Sequence, residues 1–414
     1  MSCGFFFHVG TNFLKARGMN MTTDEGWEKC RDLVLSMAEA SGKTEPWYED
    51  WFKGMYYAGT EWADIVTDEF GATWQEPMDI GGFTDDLGTA YSTIMLPENG
   101  VGFPTSVLGP MYESLKELGV DFQFNTRATN LIVDEAGQVI GIRCKDELSG
   151  NNKDFKAKCV CLATGGFACN QEMIMSYLPS VAQIGNLTNY SNGEGQQMGV
   201  AAGAKPYRMD AYAYLMGDIA QGTTWGYFSP VMMVTPDGRR FIREDQSHDC
   251  GEACIAAGFN EWWVIFDDVA ANTPQISNSI KMMMEGHTDR AFTADTIEEL
   301  AGMMNVPADV LADTLAKHNA GAEKGVDEEL GKQGFLMPLS APFRAIKLNV
   351  RRYKTFGGFL TSAKSEVLNT AEEPIVGLYA AGTTVPWTQS NLMPNAGDGY
   401  RCGKCMVEFV DGVA

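Results

Sequence analysis

Between Asp24 and Phe70 the apolar residues Trp27, Cys30, Leu33, Val34, Met37 and Ala38 return every three or four positions, the spacing of one helix face. An aromatic-rich stretch from Trp47 to Trp62 keeps that period, so a helical insert is predicted. The run from Pro104 to Leu118 has a helix pattern closed by Gly119, and VDFQFNTRA then alternates as a strand. Helix followed by strand is half of a parallel α/β crossover. NLIVDEAGQVIGIRC reads as two strands joined by a Gly-containing turn, with DFKAKCVCLAT as a third after the polar break LSGNNK. A three-stranded antiparallel appendage fits these runs. The apolar stretch VCLAT stops at Gly165-Gly166 before a helix begins in CNQEMIMSYLP. A buried strand ending in a Gly pair is how α/β proteins bring bare backbone to a nucleotide.

From Pro206 to about Pro342 the pattern becomes rich in Met and aromatic residues, with a hairpin in VMMVTPDGRRFI and helices in TADTIEELAGMM and PADVLADTLAKHNAGAEKG. GGFLTSAKSEVL and IVGLYAAGTT then return to short strands ending in Gly, and Gly399 to Phe409 closes the chain as a helix. The first unit is therefore discontinuous, with a second inserted into it.

Composition narrows the partners. The 54 acidic against 31 basic residues, a net charge of −23, leave no basic surface on which nucleic acid would release counterions. No run approaches the roughly eighteen apolar residues of a membrane helix, and the opening MSCGFFFHVGTNFLKARG is not an export signal. Ten cysteines among 414 residues are too sparse for a disulfide scaffold and read as reduced thiols, which points to the cytoplasm, with an export signal upstream of this start left open. Cys402-Gly-Lys-Cys405 and the Cys250/Cys254 pair have redox or metal spacing, but no second pair completes a shell, so no metal is expected.

Four segments stand in a telling order: ATGGF at 163–167, SNGEGQQMGVAAGA at 191–204, VTPDGRRFIREDQSH at 234–248, and GGFLTSAKSEVL with GLYAAGTT at 357–384. This order resembles the FAD-dependent flavoproteins that include soluble fumarate reductases, urocanate reductase and ketosteroid 1-dehydrogenases. The resemblance implies an α/β fold: an incomplete Rossmann-like FAD-binding domain with an inserted α+β substrate (capping) domain. Residues 1–205 and 343–414 would form the FAD-binding parts and residues 206–342 the cap. No G-x-G-x-x-G after a strand precedes these motifs. The chain is accordingly read as N-terminally truncated relative to the family, without the strand–helix–strand that cradles the pyrophosphate. A gene fragment, an enzyme split between two chains and a homologue that has abandoned flavin all stay open.

The same resemblance nominates the residues that meet FAD. Ser2, Gly4 and Thr11 lie in the segment that looks like the family's stretch after the pyrophosphate site, and Arg127-Ala128 in the strand that meets the adenine. Ala163, Thr164, Gly165 and Gly166 would lie by the adenosine half, with Glu194 in the next Gly-rich turn. Gly382 and Thr383 would lie beside the ribityl chain, where Thr383 replaces the usual glutamate. Asn395, Ala396 and Gly397 would open the last helix, whose positive end stabilises charge on reduced flavin.

Flavin exchanges hydride, so the protein must supply a proton donor or acceptor and anchors for the substrate. Counting from Phe241 through Arg243-Glu244 to the family's donor position arrives at His248, one of four histidines, with Glu244 as the neighbour that tunes it. The plainer readings are a surface or capping histidine beside Asp245 and Asp249, and a salt bridge from Glu244 to Arg240 or Arg243. Lys354 takes the place of the family's substrate-binding histidine. Met393 stands at the second anchor position, and Gly397 keeps a backbone N–H in the segment that polarises a carbonyl in ketosteroid dehydrogenases. The small-molecule substrate is then one with a C=C or CH–CH bond next to an electron-withdrawing group. Electrons come from a separate donor or acceptor, because no haem or iron–sulfur spacing is present. The competing reading is a truncated or degenerate homologue without flavin or activity, or a subunit completed by another chain.

Overall fold

The computed structural model describes residues 6–40, 48–79, 93–95, 98, 102–188, 190–211, 214–227, 229–245, 250–274, 276–386 and 392–412. The first half supplies helices α1 (Thr23–Ala40), α2 (Tyr48–Asp64) and α3 (Gly109–Glu117) and strands β1 (Thr126–Val133), β2 (Val139–Asp146), β3 (Asn152–Lys156) and β4 (Val160–Leu162). Helices α4 (Gln171–Tyr177) and α5 (Glu194–Ala201) follow, then strands β5 (Tyr214–Gly217), β6 (Met232–Val234), β7 (Glu261–Phe266) and β8 (Ala291–Ala294). Helices α6 (Ile297–Met304) and α7 (Ala308–Lys324) lead to β9 (Phe343–Lys354), β10 (Glu366–Leu368), β11 (Pro374–Ala380) and the final helix α8 (Leu392–Asp411).

The predicted helical insert is present. Thr22 and Glu25 open α1 reciprocally: the Thr22 N–H donates to the Glu25 carboxylate at 2.8 Å, and the Glu25 N–H donates to Thr22 Oγ1 at 3.2 Å. Helix α2 buries Trp51, Phe52, Met55, Tyr56 and Trp62 in one aromatic cluster with Trp27 of α1.

Strands β1, β2 and β3 form the expected antiparallel sheet in that order. Its first strand starts at Thr126 rather than Val120. Phe122 and Phe124 alternate as a strand would, but they stack with Tyr112 of α3 instead of pairing, and Asn125 turns the chain at φ +50°. The run DFKAKCVCLAT divides: its first part is β3, and its second is β4, which pairs parallel with β11 through Val160–Leu378, Cys161–Tyr379 and Leu162–Ala380.

The inserted segment builds its own sheet in the order β6-β7-β9-β8, with β5 also on β9. The run Trp262-Trp263-Val264-Ile265-Phe266 is apolar at every position because both faces are covered. Trp262, Val264 and Phe266 face one core with Leu348 and Val350, while Trp263 and Ile265 face another closed by Leu300, Leu311 and Leu315 of α6 and α7. Strand β9 lies in the middle of this sheet, so the boundary expected at residue 342 falls ahead of a strand that pairs with the inserted segment.

A charged cluster is buried beside that sheet. The Arg240 guanidinium donates to Glu244 at 2.9 and 2.8 Å and to Asp327 at 3.0 and 2.9 Å, and Lys332 Nζ lies 3.5 Å from Glu244. Burial alone would raise the Glu244 carboxyl, but Lys332 and Arg240 overcome it and hold the group below its ordinary value. Glu244→Gln removes that anion from between two buried cations, and a loss of about 3–5 kcal/mol is expected in urea unfolding at neutral pH. A carboxyl with a depressed folded value stabilises above its ordinary value of 4.5 and loses that contribution as the pH falls through the folded value. The wild-type urea midpoint should therefore fall more steeply than the variant's below that pH.

Candidate active site

The carboxyl ends of β4 and β11 lie side by side because the two strands are parallel neighbours. Each leaves its strand through a glycine in the left-handed region, Gly165 at φ +76° and Gly382 at φ +68°, which a side chain would strain. The two turns are joined by Thr384: its hydroxyl accepts from the Gly165 N–H at 3.2 Å and lies 3.4 Å from the Gly165 carbonyl. Asp398 of α8 accepts from the Gly382 N–H at 2.9 Å. Helix α5 completes the corner. Gln196 donates to the Gly165 carbonyl at 2.9 Å, the Gly193 N–H donates to the Gly166 carbonyl at 3.2 Å, and Thr164 fills the space where a side chain at Gly195 would stand.

The turn Thr355–Gly358, which leaves β9 directly after Lys354, touches every part of this corner. Thr355 accepts from the Phe167 N–H at 2.8 Å and occupies the space a Cβ at Gly166 would need. Phe356 packs on the aromatic cluster of α2, and a Cβ at Gly358 would strike the Thr384 carbonyl. The sequence-predicted turns 163–166 and 382–383, the 355–358 turn and the start of α8 are thus brought together.

Other predicted positions land differently. Arg127 and Glu194 form an ion pair between β1 and α5, and Arg127 also donates to Glu147 at 2.7 Å. Ala128 sits one residue further along β1. Thr11 is fully buried and caps a short helical turn, accepting from the Leu14 N–H at 3.3 Å. Glu244 is locked into the buried cluster with Arg240, while Arg243 pairs with Asp245 at 2.9 Å. Helix α8 begins at Leu392, not Asn395, because Pro394 is tolerated in a first turn. Asn395 and Ala396 therefore lie just inside the helix; Asn395 Oδ1 is 3.3 Å from where a Cβ at Gly382 would stand. Gly397 sits in the second turn of α8, where a Cβ would strike the Met55 carbonyl of α2. Lys354 lies half-buried over the Tyr353 ring at 4.6 Å. Ser2, Gly4, His248 and the Met393 side chain fall outside the described residues.

Two histidines are removed from neutral-pH chemistry. Burial pushes His8 down to about 3 and His318 to about 4. Among the described residues no group of three or more His, Cys, Asp or Glu side chains is arranged to hold a metal ion, and no helix is long and apolar enough to cross a membrane.

The profile of the family described as FAD binding domain matches residues 19–399. The chain belongs to this FAD-binding family. A probable fumarate reductase, Ifc3, of Shewanella frigidimarina is 29% identical over 328 residues, covering 75% of this chain and 54% of that protein. The open conformation of a flavocytochrome c3 fumarate reductase superposes with a TM-score of 0.74 at 22% identity, over 100% of this chain and 71% of that one. A 3-ketosteroid-Δ4-(5α)-dehydrogenase from Rhodococcus jostii RHA1 gives 0.69 at 24% identity, over 98% of this chain and 87% of that one. These likenesses show the fold. The chain spans about half the length of the curated relatives it matches.

The corner itself suits the family's cofactor, FAD. A Cβ built at Gly165 meets only the hydroxyls of Thr383 at 3.8 Å and Ser191 at 4.0 Å, so the space beyond the turn is open and hydroxyl-lined. Gln196 Oε1 is buried there without a hydrogen-bond partner among the described residues. Hydroxyls, an unpaired amide oxygen and bare glycine backbone match a polyhydroxylated chain. Sequence reasoning did not single out Thr384 or Gln196; the Thr-Thr pair after a strand-ending glycine was the available signal for the first. Thr384→Val breaks the join between the two turns. It is expected to weaken FAD binding about fivefold, the equivalent of one hydrogen bond of about 1 kcal/mol, in a flavin fluorescence titration.

Proposed function

We propose that the chain works in a flavin-dependent oxidoreductase that moves hydride between FAD and an activated C=C or CH–CH bond of a small organic substrate. One observation carries this reading: the Thr355–Gly358 turn follows directly on Lys354 and packs against both glycine turns. The position expected to anchor the substrate and those expected to face the flavin thus share one corner. The activities named for two of its likenesses, fumarate reduction and ketosteroid dehydrogenation, both concern such a bond.

FAD, when bound, supplies the two-electron hydride exchange. The chain's part is to hold the substrate and move a proton. His248 is assigned the proton, donated to the carbon neighbouring the one that takes hydride, or accepted from it in the reverse direction. Its flanks are anchored. Asp245 accepts from the Gln333 and Gly334 N–H groups at 2.9 and 2.7 Å and pairs with Arg243, while Cys250 is fully buried at the start of the next helix. Glu244 serves as a positioning residue, fixing the same segment through Arg240 and Lys332. Lys354 offers one cation to an electron-withdrawing group. Leu392 and Met393 offer none at the second anchor position, so the reading favours a substrate with one such group over a dicarboxylate. A separate protein or cofactor passes electrons to or from the flavin.

His248→Ala in the flavin-loaded protein is expected to lower turnover of enoate and enone substrates about 10²–10⁴-fold while leaving the flavin absorbance spectrum intact. Undiminished turnover would remove the assigned role. Lys354→Met should raise KM for an enoate several-fold and leave a neutral enone unaffected; equal changes for both would sink its role as an anchor.

A further inference from the structure

A seam rich in sulfur lies between the small three-stranded sheet of β10, β11 and β4 and helix α8, on the face away from the core that contains Leu378 and Ala380. Cys159 and Cys161, two residues apart, reach this face beside β4. Cys402, Cys405, Met406 and Phe409 approach it as one stripe of α8, with Tyr379 and Ala381 between them. Cys161 Sγ lies 3.7 Å from Cys402 Sγ, and Cys402 Sγ lies 4.0 Å from Met406 Sδ. All of these cysteines are free thiols. The C-x-x-C spacing of Cys402 with Cys405 drew attention in the sequence, yet the thiol that faces Cys402 comes from a strand 241 positions earlier.

We propose that Cys161 and Cys402 are an oxidation site for hydroperoxides, closing into a disulfide that staples β4 to α8. The two thiols share a hydrogen bond in which either sulfur can donate, and that bond lowers Cys161 and raises Cys402, so Cys161 is the one to ionise first. Cys161 is also the more exposed of the two. Its thiolate attacks the peroxide, an S–O bond forms, the O–O bond breaks, and hydroxide leaves to become water with the proton Cys402 gives up. The Cys402 thiolate then attacks the Cys161 sulfenic acid: the S–S bond forms, the S–O bond breaks, and a second hydroxide leaves, becoming water with the proton that Cys161 released to solvent on ionising. In total two thiols and one hydrogen peroxide give one disulfide and two waters, the thiols losing two electrons and the peroxide gaining them. The sulfurs must close from 3.7 Å to about 2.05 Å. Elsewhere Cys30 and Cys254 are pushed up to about 11 and about 12 by burial and stay protonated. The new bond would sit two residues before Ala163 and four after Asp398, directly behind the corner described above.

The test uses the intact reduced chain and one equivalent of hydrogen peroxide, followed by alkylation and a non-reducing tryptic digest. Cleavage after Arg401 and Lys404 isolates Cys402 in a tripeptide apart from Cys405. The expected product is that tripeptide bound to the peptide beginning at Cys159, with fragmentation placing the link at Cys161. Two titratable thiols should be lost and then restored by dithiothreitol. C405S should keep the link, and C161S and C402S should lose it. Recovery of Cys161 and Cys402 both alkylated, oxidation of Cys161 to sulfinic acid without a link, or a link that requires Cys405 would overturn the proposal. The wild-type digest decides the matter even where a variant fails to fold, and none of its outcomes depends on flavin or turnover.

Discussion

One threonine hydroxyl holds together two turns that are 219 positions apart in the chain: Thr384 Oγ1 receives the Gly165 N–H. That contact exists only because β4 and β11 run parallel with matched ends, so two backbones leave the sheet at the same height. A parallel pair cannot be closed by a tight turn. Here the connection between the two strands contains the whole inserted sheet, and the length of that excursion is what lets a second core stand over the corner. Remove the parallel register and the glycine turns become two unrelated surface bends.

The glycine turns were legible in the sequence because strand-ending glycines in a fixed order are a strong pattern even when each is weak. The helical insert was legible too, since Trp27, Cys30, Leu33, Val34, Met37 and Ala38 return with a helical period and the aromatic stretch from Trp47 to Trp62 keeps it. What failed did so for physical reasons. Val120 to Phe124 has the alternation of a strand, but Phe122 and Phe124 make tilted ring contacts with Tyr112 and no ladder, and Val120 and Phe124 stay exposed. The last helix, expected to open at Asn395, opens at Leu392 because proline is tolerated in a first turn. Strand β9 pairs with strands of the inserted segment, and its own residues say nothing about which sheet it joins.

Glu244 illustrates the limit most clearly. Sequence offered it Arg240 or Arg243 as neighbours, and the choice of Arg240 is set by Asp327 and Lys332, more than eighty positions away. Once Arg240 is fixed by two carboxylates, Arg243 is left to Asp245, and Asp245 in turn grips the 333–334 backbone. A short stretch of charged residues is thereby sorted into an inward half and an outward half by partners that local pattern cannot reveal.

The passage from Lys354 to Thr355 carries a mechanical implication. Strand β9 belongs to the inserted sheet over its full length, yet the residue after it is clamped by Phe167 on the other unit. The end of the strand is held a second time at Arg352, whose backbone pairs with Gly185 and Leu187 and whose guanidinium donates to Asn186 and Gln171. The ammonium of Lys354 is therefore carried on a stretch of backbone fixed on both sides, so its height above the glycine turns is set by the segment it leaves and the segment it enters alike.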